Sequence, residues 1–201
     1  MTFNPEEIGH SATYKLLTGA VIPRPIGWIS TVDPAGVQNL APFSYFNIIG
    51  DDPPHVMFST VRTGGGNKDT LNNVLATGEF VVNMVTEETV SKMNQTSESV
   101  PPEVDEFNLA GLTAAPSLLV KPPRVAESPI QFECKLVHQF ELEGHSKGGA
   151  IMLVGKIVMF HFADEIVSDD YKIDMEKYRP VARLAGSNYT TLGTIFSIKR
   201  N

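Results

Sequence analysis

Residues 39–47, NLAPFSYFN, gather in nine positions the residue types that could receive a flat, polar-edged ring. Small Ala41 and Ser44 let a ligand come close to the backbone. Phe43, Tyr45 and Phe46 add aromatic surface, and Asn39 and Asn47 add amides. Pro42 cannot donate to a strand ladder, which predicts an open edge whose free backbone groups could read the rim of a heterocycle. The same residues would also suit an edge strand whose aromatics simply fill the core, so what accompanies the segment decides between the two.

A second group lies downstream. Gly64-Gly65-Gly66 precedes Asn67-Lys68-Asp69-Thr70, and Leu71, Val74 and Leu75 follow at helical spacing. Asn67 is the expected N-cap. The helix N-terminus, the Lys68 ammonium and the Thr70 hydroxyl together suit a monophosphate. Asp69 would repel that phosphate and is expected instead to hold Lys68 or a ligand hydroxyl. A normally capped surface helix accounts for the same residues, and the nucleotide loop GxxxxGK[ST] is absent. Near the C-terminus, Tyr178 to Tyr189 reads YRPVARLAGSNY, a mixture that suits an anionic or aromatic ligand and equally a subunit interface.

Other chemistries find less support. His10, His55, His138, His145 and His161 form no HxxxH or HExxH pattern, so no metal site is expected. There is no GxSxG elbow for a serine nucleophile. His145 sits in a turn, and His161 is expected to be structural. No catalytic side chain is assigned.

The elements that must position these groups follow from punctuation and periodicity. A short helix opens near His10-Ser11 and ends at Gly19, and the two prolines of Ile22-Pro23-Arg24-Pro25 keep the next segment extended. Residues 26–32 are strand-like, and Asp33-Pro34-Ala35-Gly36 turns the chain back so that Ser30 and Thr31 face Asn39 to Ala41. Strands are predicted over 55–61 and 80–85, with Gly78 closing the intervening helix and Thr86 opening another that carries Val90 and Met93. Residues 95–105 form an exposed loop that could close over a site or contact a neighbouring subunit. Alternation over 130–142 predicts a strand with one wet face, and the apolar run 150–162 predicts a long strand bent at Gly155. These elements make a mainly β protein, a small β-barrel with peripheral helices, in one domain over 1–201.

Composition sets the outer limits. Of the 201 residues, 42% are apolar and 19% charged, an ordinary globular mixture. The net charge of −7 argues against nucleic acid or an anionic membrane as the main partner. No apolar run is long enough to span a bilayer, and the first residues lack a secretory pattern. The single cysteine, Cys134, fits a buried core position in a cytoplasmic protein.

In order along the chain, PRPIGWIST, NLAPFSYFN, DDPP with MFST, Lys68-Asp69-Thr70 and RLAGSNY resemble the flavin reductase-like proteins, the FMN-binding split-barrel group that includes the flavoredoxins. The resemblance implies a six-stranded Greek-key split barrel, a homodimer, and FMN in a groove between the subunits. It implies that Thr31 lies at the end of the first barrel strand and that Asn39, Leu40, Ala41 and Ser44 line the isoalloxazine, chiefly through their backbone. Ser59 and Thr60 would stand near the ribityl chain and phosphate, Lys68, Asp69 and Thr70 on the phosphate side, and Arg183 in the C-terminal segment. The activity implied is NAD(P)H-dependent flavin reduction, with NADH or NADPH as reductant and a partner monooxygenase or redox protein as acceptor. The alternatives are a non-enzymatic electron carrier of flavoredoxin type and an FMN-binding protein without turnover. Two departures stand out. Glu143-Gly144-His145 replaces the Gly-Asp-His turn of many flavin reductases, which weakens the case for direct NAD(P)H use, and Arg-Leu-Ala-Gly replaces Arg-Leu-Gly-Gly at 183–186.

Overall fold

The computed structural model of the chain describes residues 1–62, 66–142 and 148–199. The expectations for Gly64-Gly65 and for the turn around His145 fall outside the described residues. Helix α1 (Pro5–Ala20) begins where the Asn4 side chain accepts the Glu6 N–H at 3.1 Å and proline occupies a position needing no donor. It is longer than expected, and Gly9, at φ 71° and ψ 163°, breaks it just ahead of the predicted start at His10. Strands β1 (Gly27–Val32), β2 (Gln38–Phe43), β3 (Phe46–Asp51) and β4 (Pro54–Val61) follow. Next come α2 (Asp69–Thr77), β5 (Glu79–Met84), the short helices α3 (Val90–Gln95) and α4 (Glu106–Leu109), and the small pair β6 (Ala114–Ala115) with β7 (Arg124–Val125). The chain finishes with β8 (Ile130–Glu141), β9 (Ala150–Phe162), α5 (Met175–Tyr178) and the pair β10 (Val181–Arg183) with β11 (Tyr189–Thr191).

One antiparallel sheet organises the molecule, in the order β2-β1-β5-β8-β9-β4-β3. It has seven paired strands where six were expected. The difference lies in the stretch 39–47, which divides at Ser44-Tyr45 into the end of β2 and the start of β3. Those two strands are the opposite edges of the sheet, yet only two residues separate them. The sheet must therefore curl until its edges meet, and the chain itself makes the closure. The register of β1 with β2 places Ser30 opposite Leu40 and Thr31 opposite Asn39, as the turn at Asp33 predicts. Pro42 lies on an edge strand, where a missing donor breaks no ladder.

Both faces of β1 are covered. Ile29 joins Phe43, Phe58, Phe80, Val82, Cys134 and Leu153 inside the barrel, while Trp28 and Leu40 pack outward against Met93, Phe107 and Val125. The Trp28 indole N–H finds Thr96 Oγ1 at 2.9 Å, so the largest core side chain buries no unpaired donor. Helix α2 lays Leu71 and Val74 over the barrel, and Gly78, in the left-handed region, ends it with its N–H on Val74 O. Its N-cap is Lys68 rather than Asn67 and makes no side-chain capping bond.

One strand reading needs correction. In β8 the predicted wet residues Gln131 and Glu133 are buried, whereas the predicted core residues Phe140 and Leu142 are exposed. The reason is a chain segment laid over the first half of the strand: Leu118 and Leu119 donate their backbone N–H groups to Glu133 at 2.7 and 2.6 Å. At Gly155 one of the two register shifts of the β8–β9 ladder falls between Leu136, its partner, and His138, and the glycine also serves close packing, since a Cβ there would stand 2.3 Å from a Phe80 ring carbon. No helix among the described residues is long and apolar enough to cross a membrane.

Candidate functional site

A cavity of about 510 Å³ opens where β2 passes into β3. Pro42, Phe43, Ser44 and Tyr45 form its floor, with Ser59 and Val61 of β4 beside them. Helix α1 supplies one wall through His10, Tyr14 and Leu17, and Met93, Asn94 and Ser97 of α3 and the following loop supply another. Lys68 stands at the start of α2, and Arg183 and Tyr189 come from the C-terminal pair β10–β11. The residues between two broken strand halves cannot complete a ladder, so the fold leaves an opening here rather than elsewhere on the barrel.

Charge is distributed unevenly around this opening. Arg24, Lys68 and Arg183 line it, and none of the described lining residues is acidic, although the whole chain carries −7. None of the three cations forms an ion pair among the described residues. Lys68 Nζ lies 5.9 Å from the Phe43 ring centroid. The Arg183 guanidinium lies over the Tyr189 ring, 4.5 Å from its centroid, and donates to Gly186 O. Burial and the neighbouring Tyr14 push the Tyr45 hydroxyl above its ordinary value against an opposing pull from Arg24, so this phenol is a neutral hydrogen-bonding group near pH 7. Cations, hydroxyls and aromatic surface together suit a planar ligand carrying negative charge.

The residues expected at the site separate into two groups. Ser44, Ser59, Lys68 and Arg183 line the cavity. Thr31, Asn39 and Thr70 instead meet Asn73 in a buried cluster. Asn39 Nδ2 donates to Thr70 Oγ1 at 2.9 Å and to Thr31 Oγ1 at 3.3 Å, and Asn73 Nδ2 donates to Thr31 Oγ1 at 3.1 Å. These buried groups fasten the first turns of α2 to the β1–β2 hairpin, and through it they set where Lys68 stands. Leu40 is buried in the outer core, and its N–H is taken by Glu106 Oε2 at 2.9 Å. Burial pushes the Glu106 carboxyl up, opposed by that backbone donor. Ala41 is partly buried against the barrel core, Thr60 is buried in β4, and Asp69 is half-buried in the first turn of α2. Arg24, Tyr14 and Met93 were not singled out from the sequence as site residues. Arg24 lies within the run PRPIGWIST, but nothing in the spacing of that run signals a buried guanidinium.

Outside the cavity, burial pushes the Cys134 thiol well up, with Glu133 adding to the effect, so this cysteine is a core group and not a redox nucleophile. His161 Nε2 lies 2.7 Å from Glu133 Oε1 at the far end of β8, in a structural role.

Comparison with known proteins bears on the same region. The sequence model of the flavin reductase like domain matches residues 18–181. An uncharacterised protein of Aquifex aeolicus is 44% identical over 190 residues, 94% of each chain. Nitrilotriacetate monooxygenase component B from Bacillus cereus superposes with a TM-score of 0.94 at 39% identity, covering 98% of both chains. The 2-nitrobenzoate 2-nitroreductase of Pseudomonas fluorescens superposes with a TM-score of 0.89 at 28% identity, over 100% of this chain and 96% of that one.

Proposed function

Because the chain belongs to the flavin reductase-like domain family, we propose that it is an oxidoreductase that binds FMN in the cavity at the β2–β3 break and reduces it with NAD(P)H. The observation that carries this reading is the cavity lined by Arg24, Lys68 and Arg183, with no acidic residue among its described lining, in an otherwise acidic protein. A bound flavin would supply the two-electron chemistry itself, so no catalytic triad is required of the protein. The chain's own residues bind and orient. Lys68, at the head of α2, takes the terminal phosphate, with the Ser59 hydroxyl beside it. Phe43, Tyr45 and Pro42 present flat, partly apolar surface to a ring, and Ser44 offers a hydroxyl to its polar rim. The Arg183–Tyr189 pair lies at the mouth, where a second planar group could stack.

The reading extends to partners. Similarity to a protein named as a monooxygenase component supports delivery of reduced flavin to a separate monooxygenase. Exposed Ile48 and Ile49 on β3 support a homodimer that covers the outer side of the site. The absorption spectrum of the purified protein with FMN, recorded anaerobically before and after NADH, tests the proposal. Bleaching of the flavin band on adding NADH is the expected result. Bound FMN that NADH and NADPH both leave oxidised would reject the reductase and favour an electron carrier, and no FMN binding would reject the site.

A further inference from the structure

We propose that Arg24 and Ser44 form a two-donor site within the cavity that holds a reduced, anionic flavin more tightly than an oxidised one. The inference rests on reading the cavity as a flavin site. Arg24 is 7% exposed and has no carboxylate partner among the described residues. A guanidinium carries five N–H donors, and four have protein acceptors. Nε–H reaches Ser44 Oγ at 3.3 Å, Nη1 reaches Thr18 O at 2.8 Å and Val21 O at 2.7 Å, and Nη2 reaches Leu184 O at 3.0 Å. The fifth, on Nη2, has no acceptor among the described residues, in a side chain that lines the cavity.

Burying a charge without a counter-ion is costly, and carbonyl dipoles offset only part of that cost. The arrangement is not needed merely to join segments, because the backbones of Arg24 and Arg183 already exchange both hydrogen bonds, at 3.0 and 2.9 Å. Arg24 lines the cavity, so its charge acts on whatever is bound there. Since Ser44 Oγ accepts from Arg24, its own hydrogen is free to point elsewhere, and Ser44 too lines the cavity. A ligand there meets two donors backed by a full positive charge.

Such a site favours a group that accepts hydrogen bonds and gains negative charge during the reaction. The N1 and C2-carbonyl rim of a flavin is such a group. Uptake of two electrons and one proton leaves a negative charge spread over that rim, whereas the oxidised rim is neutral. In a partly desolvated cavity the attraction to Arg24 therefore rises on reduction.

The test uses the full chain with FMN and with dithionite-reduced FMN, both titrated anaerobically, in wild type, Arg24→Lys and Ser44→Ala. The quantity read is the ratio of the two dissociation constants. Both variants are expected to lose about ten- to a hundredfold of affinity for reduced FMN relative to their change for oxidised FMN. If Arg24→Lys fails to fold by circular dichroism, Ser44→Ala, which leaves the three carbonyl contacts of Arg24 intact, decides alone. A ratio that stays at the wild-type value in either folded variant overturns the proposal. Wild-type protein that binds neither state would instead overturn the flavin reading itself.

Discussion

At the scale of single residues, the cavity is defined by cations that have no carboxylate partner among the described residues. Lys68 is the simplest case: an exposed ammonium without an ion pair among the described residues, at the N-terminus of α2. Lys68→Ala is expected to weaken FMN binding by about ten- to a hundredfold, the value of one charge-assisted contact, in a fluorescence titration. An unchanged constant would place the phosphate away from α2. Glu133 makes the opposite kind of contact, a buried carboxylate that is fully engaged. Burial pushes its carboxyl up, but the Leu118 and Leu119 N–H groups and His161 outweigh that and hold it below its ordinary value. A folded-state value below the unfolded one means that its contribution is complete above the usual carboxylate range and is lost as pH falls through the folded value. Glu133→Gln should cost about 1.5–3 kcal/mol at neutral pH and flatten the acid side of the stability curve, as read by urea unfolding across pH. An acid limb identical to wild type would remove Glu133 from the account. Residue types alone separated these roles poorly. Lys68, Ser44 and Arg183 reach the cavity, while Thr31, Asn39 and Thr70, from the same motifs, turn inward. A hydroxyl or an amide is equally at home binding a ligand or pinning a helix, and only the register decides.

At the scale of elements, the β strands were legible wherever apolar residues ran unbroken or alternated over a covered face. The β1–β2 hairpin keeps its predicted register because proline, glycine and aspartate fix the turn. The second half of β8 was misread because alternation reports which side chains could be buried, not whether another layer is present to bury them. At Gly155 the missing side chain serves two ends at once, a ladder irregularity beside it and a close neighbour in Phe80. Gly155→Ala is accordingly expected to destabilise the protein by about 1–3 kcal/mol through overpacking. Gly19→Ala, in α1 with nothing within 4 Å of the added carbon, should be neutral or slightly stabilising. Thermal melts of the two variants compare them directly, and equal melting temperatures would discard the packing explanation.

At the scale of the whole molecule, apolar surface is left over. Ile48 and Ile49 on β3 and Ile195, Phe196 and Ile198 in the C-terminal segment are all more than half exposed. A homodimer that covers them would also shield the β2–β3 opening, so flavin affinity should fall when the protein is diluted below its association constant. Flavin fluorescence and sedimentation followed through the same dilution series check this, and a monomer with full affinity would separate assembly from binding. The closure of the barrel carries a consequence of its own. Every hydrogen-bonded ladder of the main sheet is complete without the joint at Ser44-Tyr45, which is held by covalent chain, by the Ser59 N–H to Tyr45 O bond at 2.9 Å and by the Arg24 Nε–H to Ser44 Oγ bond at 3.3 Å. Side chains at that joint can change in size or polarity without shifting the register of any strand pair. Ligand preference and architecture are thus independently variable in this scaffold: substitutions that alter what is bound need not tax the stability of what does the binding.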